Sequence, residues 1–206
     1  MSLAFDAGHR EALGEWIARR LDGSPVQVTD VQMLAGGAIQ ENWRVTCRIG
    51  DGTTAEDRQF VLRCNAAATI GSSRPLAHEF AVLSRAYEAG VLVPTPIGLC
   101  DDAALLGERF SLVAAVAGVA LGPRIVKERS LGGDRAALAA RLGQELAKIH
   151  SIRPPQAELA FLGAPPDDPA QATIAGLRAT LDRLGSVRPA LEWGLRWAEQ
   201  QAPDRG

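Results

Sequence analysis

The sequence predicts an α+β protein, with a sheet-rich front half containing one internal helix and a helical back half from about Gly122. Three observations predict it. Trp43, Val45, Cys47 and Ile49 alternate with Asn42, Arg44, Thr46 and Arg48, the period of two that marks a strand with one solvated face. Leu138, Leu142, Leu146 and Ile149 fall instead at helical spacing, between the cap candidate Asp134 and the breakers Pro154 and Pro155. With 206 residues, 47% of them hydrophobic, the chain can bury the core of one large domain or two small ones.

Taken in order, Asp6 can cap a first helix whose apolar positions Leu13, Trp16, Ile17 and Leu21 follow helical spacing, with Gly23 as its stop. Ser24-Pro25 then turns the chain into a strand over 26–34, regular at 26–28 and less so beyond. After the alternating strand, Gly50-Asp51-Gly52 leads into a third over 58–64, completing an antiparallel meander. On it Arg63 shares a face with Val61, opposite Phe60, Leu62 and Cys64. The next helix has Ser72 or Ser73 as a cap, Pro75 in its first turn, Gly90 after its end and an apolar stripe of Leu76, Phe80, Leu83 and Tyr87. Glu79 borders that stripe. A carboxylate there needs a partner, because burying an unpaired charge is costly or forces protonation, and Arg63 is the natural candidate.

Val93-Pro94-Thr95-Pro96 returns the chain to the sheet, where 97–100 and 109–116 read as two further strands. The second is almost wholly apolar, as a strand buried on both faces would be, and ends in Ala117-Gly118. A connection containing Gly and Pro leads to the long helix after Asp134, which carries His150 at its C-terminal end. Asp168-Pro169 starts another helix, with Ile174, Leu177, Leu181 and Leu184 inward and Gly185 at its end. Pro189 opens a last helix bearing Leu191, Trp193, Leu195 and Trp197. Two regions are expected, residues 1–118 and 119–206.

A net charge of -2 gives no broad argument for nucleic acid or an anionic membrane, so any phosphate-binding cation must act locally. The three cysteines, Cys47, Cys64 and Cys100, are odd in number and lack metal-ligand spacing, and those in strand patterns read as small buried hydrophobes. Together with the lack of a membrane-spanning run or signal-peptide pattern, they suggest a reducing, cytoplasmic setting.

Several stretches, in order, carry a resemblance. They are Gly36-Gly37-Ala38 with Asn42, then Phe60-Val61-Leu62-Arg63, then Glu79 followed by Val93-Pro94-Thr95-Pro96, then Gly107-Glu108-Arg109-Phe110 running to Ala117-Gly118. The helix Leu142-Gly143-Gln144-Glu145-Leu146-Ala147-Lys148-Ile149-His150 adds to them. The ordered set resembles the aminoglycoside phosphotransferase and choline kinase group of protein-kinase-like enzymes, over roughly residues 26–152. That resemblance implies a kinase-like N-terminal lobe, an antiparallel sheet with one internal helix and a hinge at its end, over 1–118. Residues 119–206 would then be the start of a helical C-terminal lobe.

The resemblance further implies a nucleotide site made of Gly36, Gly37, Asn42, Arg63, Glu79, Ala114 and Val116. The glycines would let the backbone close over phosphates. Arg63 stands where most kinases carry lysine, and its fork can position phosphate with altered geometry. Glu79 would orient Arg63, and backbone groups of Ala114 and Val116, in a hinge over 113–116, would pair with adenine. Without the resemblance, the glycine pair reads as a hairpin turn, Arg63 as a surface residue, Glu79 as a solvated helix glutamate and the hinge as an ordinary core strand. His150 reads as an end-of-helix histidine, where partial negative charge favours a cation, and His9 and His78 have no constellation around them.

Members of the group follow this region with a His-Gly-Asp catalytic loop, a downstream Asn and a metal-holding Asp, because phosphoryl transfer needs a carboxylate to orient the hydroxyl and ligands for the metal. Here the only asparagines are Asn42 and Asn65, and no histidine follows His150. The expectation is the N-terminal portion of an ATP-dependent small-molecule kinase that phosphorylates a hydroxyl group. Alone it would be inactive and have no catalytic residue of its own, with Mg2+ ligands in a missing C-terminal lobe. Its partners would be a small hydroxyl acceptor and either a separate C-terminal lobe or a second copy in a homodimer. The alternative is a non-catalytic nucleotide-binding or regulatory module, and a third reading is an unrelated α+β binding domain.

Overall fold

A computed structural model describes residues 3, 5–34, 40–65, 74–119 and 121–203. The fold is α+β, as the sequence predicts, and is built on a five-stranded antiparallel sheet in the order β1-β2-β3-β5-β4.

Helix α1, Ala7–Ala18, begins where Asp6 accepts the His9 N–H at 3.0 Å, and after it Gly23, at φ +83°, donates its N–H to the Ala18 carbonyl at 3.1 Å. Strands β1, Val26–Leu34, and β2, Gln40–Ile49, pair with a register shift between Val28 and Asp30, the point where the apolar pattern of β1 loses its regularity. β3, Glu56–Asn65, pairs with β2 so that Asn42 lies opposite Arg63 and Trp43 opposite Leu62. Each strand therefore sends one set of side chains inward and the other outward. Val45, Cys47, Phe60, Leu62, Cys64, Phe110 and Leu112 are buried with Leu13, Trp16 and Ile17 of α1.

α1 reaches both edges of the sheet. A Cβ at Gly14 would stand 2.5 Å from the Val26 carbonyl of β1, and one at Gly98 would meet Arg20 at 2.5 Å and the Trp16 ring at 2.9 Å on the far edge. Trp16 also tilts against Phe110, with ring centroids 4.9 Å apart, and Arg20 stacks over Trp16 at 3.5 Å. Edge strands left open invite pairing with other chains, and here one helix packs against both.

Helix α2, Leu76–Glu88, starts from Pro75, which offers no side-chain cap; the expected cap candidates Ser72 and Ser73 lie outside the described residues. Leu76 is buried, but Tyr87, expected in the inward stripe, is exposed, near the end of a helix whose backbone packs against β4 and β5. β4 is Pro96–Cys100. β5 is Phe110–Ala114, shorter than the expected 109–116, and is buried on both faces only at its start, where Phe110, Ser111 and Leu112 are enclosed. Cys47, Cys64 and Cys100 are buried free thiols.

The connection after β5 contains a short helix, α3, Gly122–Lys127, which the sequence pattern does not announce. Helix α4, Arg135–His150, is capped by Asp134, which accepts the Ala137 N–H at 2.8 Å. Glu145 fastens α4 to the loop after α2, accepting the Leu92 N–H at 2.7 Å and pairing with Lys148 at 2.8 Å. Compact packing divides the chain into Met1–Leu159 and Ala160–Gly206.

The second unit holds α5, Pro169–Leu184, and α6, Pro189–Gln200. Arg178 joins them, with Nη1 2.9 Å from Glu192 and Nη2 2.7 Å from Glu199. Of the α5 residues expected to face inward, Ile174 is buried, Leu181 is half-buried, and Leu177 and Leu184 are exposed. A pair of helices encloses one seam and leaves the remaining apolar positions uncovered, Trp193 and Trp197 among them.

Candidate functional site

The period of two places Gln40, Asn42 and Arg44 on one face of β2, and the registers carry that face across to Arg63 on β3 and Ser111 on β5. This is the face opposite Trp16 and the core. α1 covers the core side, while α2 brings Glu79 to the other side.

Three of the residues expected in the site converge there. Arg63 Nε donates to Asn42 Oδ1 at 3.2 Å, and Arg63 Nη1 lies 3.8 Å from Glu79 Oε2. The side chains are 47% and 34% exposed respectively, so solvent screens the pair. An ion pair of this exposure and separation contributes about 0–1 kcal/mol, which makes its role one of orientation rather than stability. Arginine carries five N–H donors in a rigid fork; the Asn42 contact engages Nε, and Nη1 faces Glu79 at a distance too long for a hydrogen bond. The other donors remain for an anion beside the strand.

Gln40 also belongs to this group, though the sequence reading gave it no role. Its Nε2 donates to Glu79 Oε2 at 2.6 Å, the same oxygen that faces Arg63. The signal that could have found it is its place two residues before Asn42, on the same face of the same strand.

Gly36 and Gly37 lie outside the described residues. Ala114 and Val116 are placed apart from the cluster. Ala114 stands opposite Phe60, three residues along β5 from Ser111, the partner of Arg63, or about 10 Å by the rise of a strand. Its N–H donates to the Thr95 carbonyl at 2.9 Å, so a ligand can use only its carbonyl. Val116 has left the sheet and is 71% exposed, and no described residue accepts its N–H. Between Ser111 and Ala114, Val113 lies opposite Val61, both half-buried and on the face of Arg63. His150 is the exposed last residue of α4 and joins no described acid or base.

The donor set fits an anion held by Arg63. It does not fit a metal: among the described residues no three of His, Cys, Asp and Glu gather as a metal site requires. No described helix is long and apolar enough to cross a membrane.

The sequence matches the phosphotransferase enzyme family (APH) over residues 30–206. Over 101 residues it is 35% identical to acyl-CoA dehydrogenase family member 10 of Mus musculus, covering 47% of this chain and 9% of that protein. The fold is similar to a crystal structure described as a candidate aminoglycoside phosphotransferase of Ralstonia eutropha JMP134, with a TM-score of 0.67 at 21% identity. That similarity covers 98% of this chain and 55% of the other, so the chain spans about half of that relative's length and a small part of the mouse protein.

Proposed function

This chain belongs to the phosphotransferase enzyme family, and from that premise we propose that it holds ATP for phosphorylation of a hydroxyl group on a small molecule. The observation that carries the reading is the guanidinium of Arg63, half exposed and held between Asn42 and Glu79. In phosphoryl transfer there is little covalent chemistry for the protein to do, and positioning with charge stabilisation dominates.

ATP, when bound, supplies the transferable phosphoryl group. The residues of this chain have three tasks. Arg63 takes phosphate oxygens with the donors left free by Asn42 and Glu79. Glu79 keeps the guanidinium turned along the strand instead of into solvent. The Ala114 carbonyl and the Val116 N–H pair with the edge of the base, while Val61 and Val113 give it an apolar surface. The separation of about 10 Å along β5 suits a nucleotide lying with its base at one end and its phosphates at the other. No residue is assigned as the carboxylate that orients the acceptor hydroxyl.

Isothermal titration of the 206-residue chain with ATP and, separately, with adenosine tests this. Saturable binding that favours ATP is expected. Equal affinity for the two, or no binding of either, would overturn the assignment of Arg63 to phosphate.

A further inference from the structure

We infer that Gln40 is a positioning residue for the phosphate-holding arginine, acting through Glu79; this rests on the reading of the site given above. One carboxylate oxygen, Glu79 Oε2, has two suitors. Gln40 Nε2 stands at 2.6 Å and Arg63 Nη1 at 3.8 Å. The shorter contact fixes where the oxygen sits, because a neutral amide donor at that distance makes a full hydrogen bond to the carboxylate. The longer one lies beyond hydrogen-bond range and is electrostatic only.

The consequence is a division of labour across β2. Gln40 and Asn42, two residues apart on one face, each hold one member of the charged pair: Gln40 the carboxylate, Asn42 the guanidinium Nε. The two amides keep the charges near each other without letting them close into a tight bidentate pair. A closed Arg–carboxylate fork would engage two parallel N–H groups and withdraw them from a ligand. With Gln40 holding the carboxylate, the guanidinium keeps those donors for phosphate.

Removing the amide should therefore affect phosphate recognition and leave base recognition alone. In Gln40→Ala, Glu79 is free to swing onto Arg63, and the affinity for ATP is expected to fall about five- to tenfold with that for adenosine unchanged. The loss should vanish in the background of Arg63→Ala, where Gln40→Ala adds no further weakening, as expected for residues acting as one unit. Gln40→Glu, which sets a second carboxylate against Glu79, should weaken ATP binding at least as much.

Titration calorimetry on the wild type, Gln40→Ala, Arg63→Ala and the double variant, with thermal melts of each, reads these outcomes. If Arg63→Ala loses ATP binding while Gln40→Ala keeps wild-type affinity, the positioning role is wrong and the site reading stands. Equal losses for ATP and adenosine with a lowered melting temperature would make Gln40 merely structural. A wild type that binds no ATP would overturn the site reading, and this inference with it.

Discussion

Arg63 and Glu79 sit on different elements, the central strand β3 and the helix α2 that follows it, yet their charged groups approach to 3.8 Å. The contact is too long and too exposed to matter much for stability, and its value is directional. Arg63→Ala should therefore leave the melting temperature within a degree or two (roughly, for an exposed side chain) while weakening ATP binding about tenfold or more, the scale of a charge-assisted hydrogen bond. Arg63→Lys keeps the charge without the fork and should fall between the two. Titration calorimetry with paired melts checks this, and a large loss of stability with unchanged affinity would reverse the conclusion.

At the other end of the site, Ala114 and Val116 differ in a way that substitution can expose. The Ala114 N–H is held by Thr95, whereas no described residue accepts the Val116 N–H. Val116→Pro deletes that donor at an exposed position outside the sheet. The expected result is a several-fold loss of affinity for ATP and adenosine alike, with little change in stability. Ala114→Pro should instead destabilise the protein, because it removes a backbone bond between β5 and the strand-entry loop. Adenosine affinity that is the same in Val116→Pro and wild type would remove Val116 from the site.

The position of α1 predicts an unequal response at two glycines. A methyl group at Gly14 would meet the Val26 carbonyl at 2.5 Å, and a backbone cannot move aside cheaply. At Gly98 the nearest atoms at 2.5 Å belong to the long side chain of Arg20, although the Trp16 ring follows at 2.9 Å. Gly14→Ala is expected to cost about 1–3 kcal/mol by the ordinary penalty for overpacking, and Gly98→Ala less. Urea titration of both variants measures the order. If Gly98→Ala costs more, the Trp16 ring, rather than Arg20, is the immovable neighbour.

Much of this was legible in the sequence because period and punctuation are local. The alternation through Trp43, Val45, Cys47 and Ile49 identified the inner face of β2, and Asp6, Asp134 and Asp168 each accept the backbone N–H that a cap should. The pairing of Arg63 with Glu79 was legible for a different reason: a carboxylate beside an apolar stripe needs a cation, and one strand offered it. What could not be read depended on distance in the chain. Gln40 reaches a residue 39 positions later, and the Ala114 N–H is taken by a loop residue that no periodicity marks. Tyr87 and Leu184 fit their stripes but are exposed, since spacing gives the face of a helix and not how far its neighbours extend.

The last prediction concerns pH. Cys47 and Cys64 are enclosed between the sheet and α1, and burial pushes both thiols up to about 12, with Glu41 and Glu108 adding repulsion at Cys64. In the unfolded chain they ionise near the ordinary value of 9.0. Below that pH both states keep their protons and the thiols impose no pH dependence. Between about 9 and 12 the unfolded state binds fewer protons than the folded one, so stability falls as pH rises, by roughly 1.4 kcal/mol per unit for each thiol. Urea unfolding at pH 8, 9, 10 and 10.5 should show a plateau followed by this decline, steeper in the wild type than in Cys47→Ala/Cys64→Ala. The double variant loses some packing, which lowers its whole curve, but it is the slope above pH 9 that decides. Parallel slopes in the two proteins would mean that the thiols are not the groups whose ionisation opens the core.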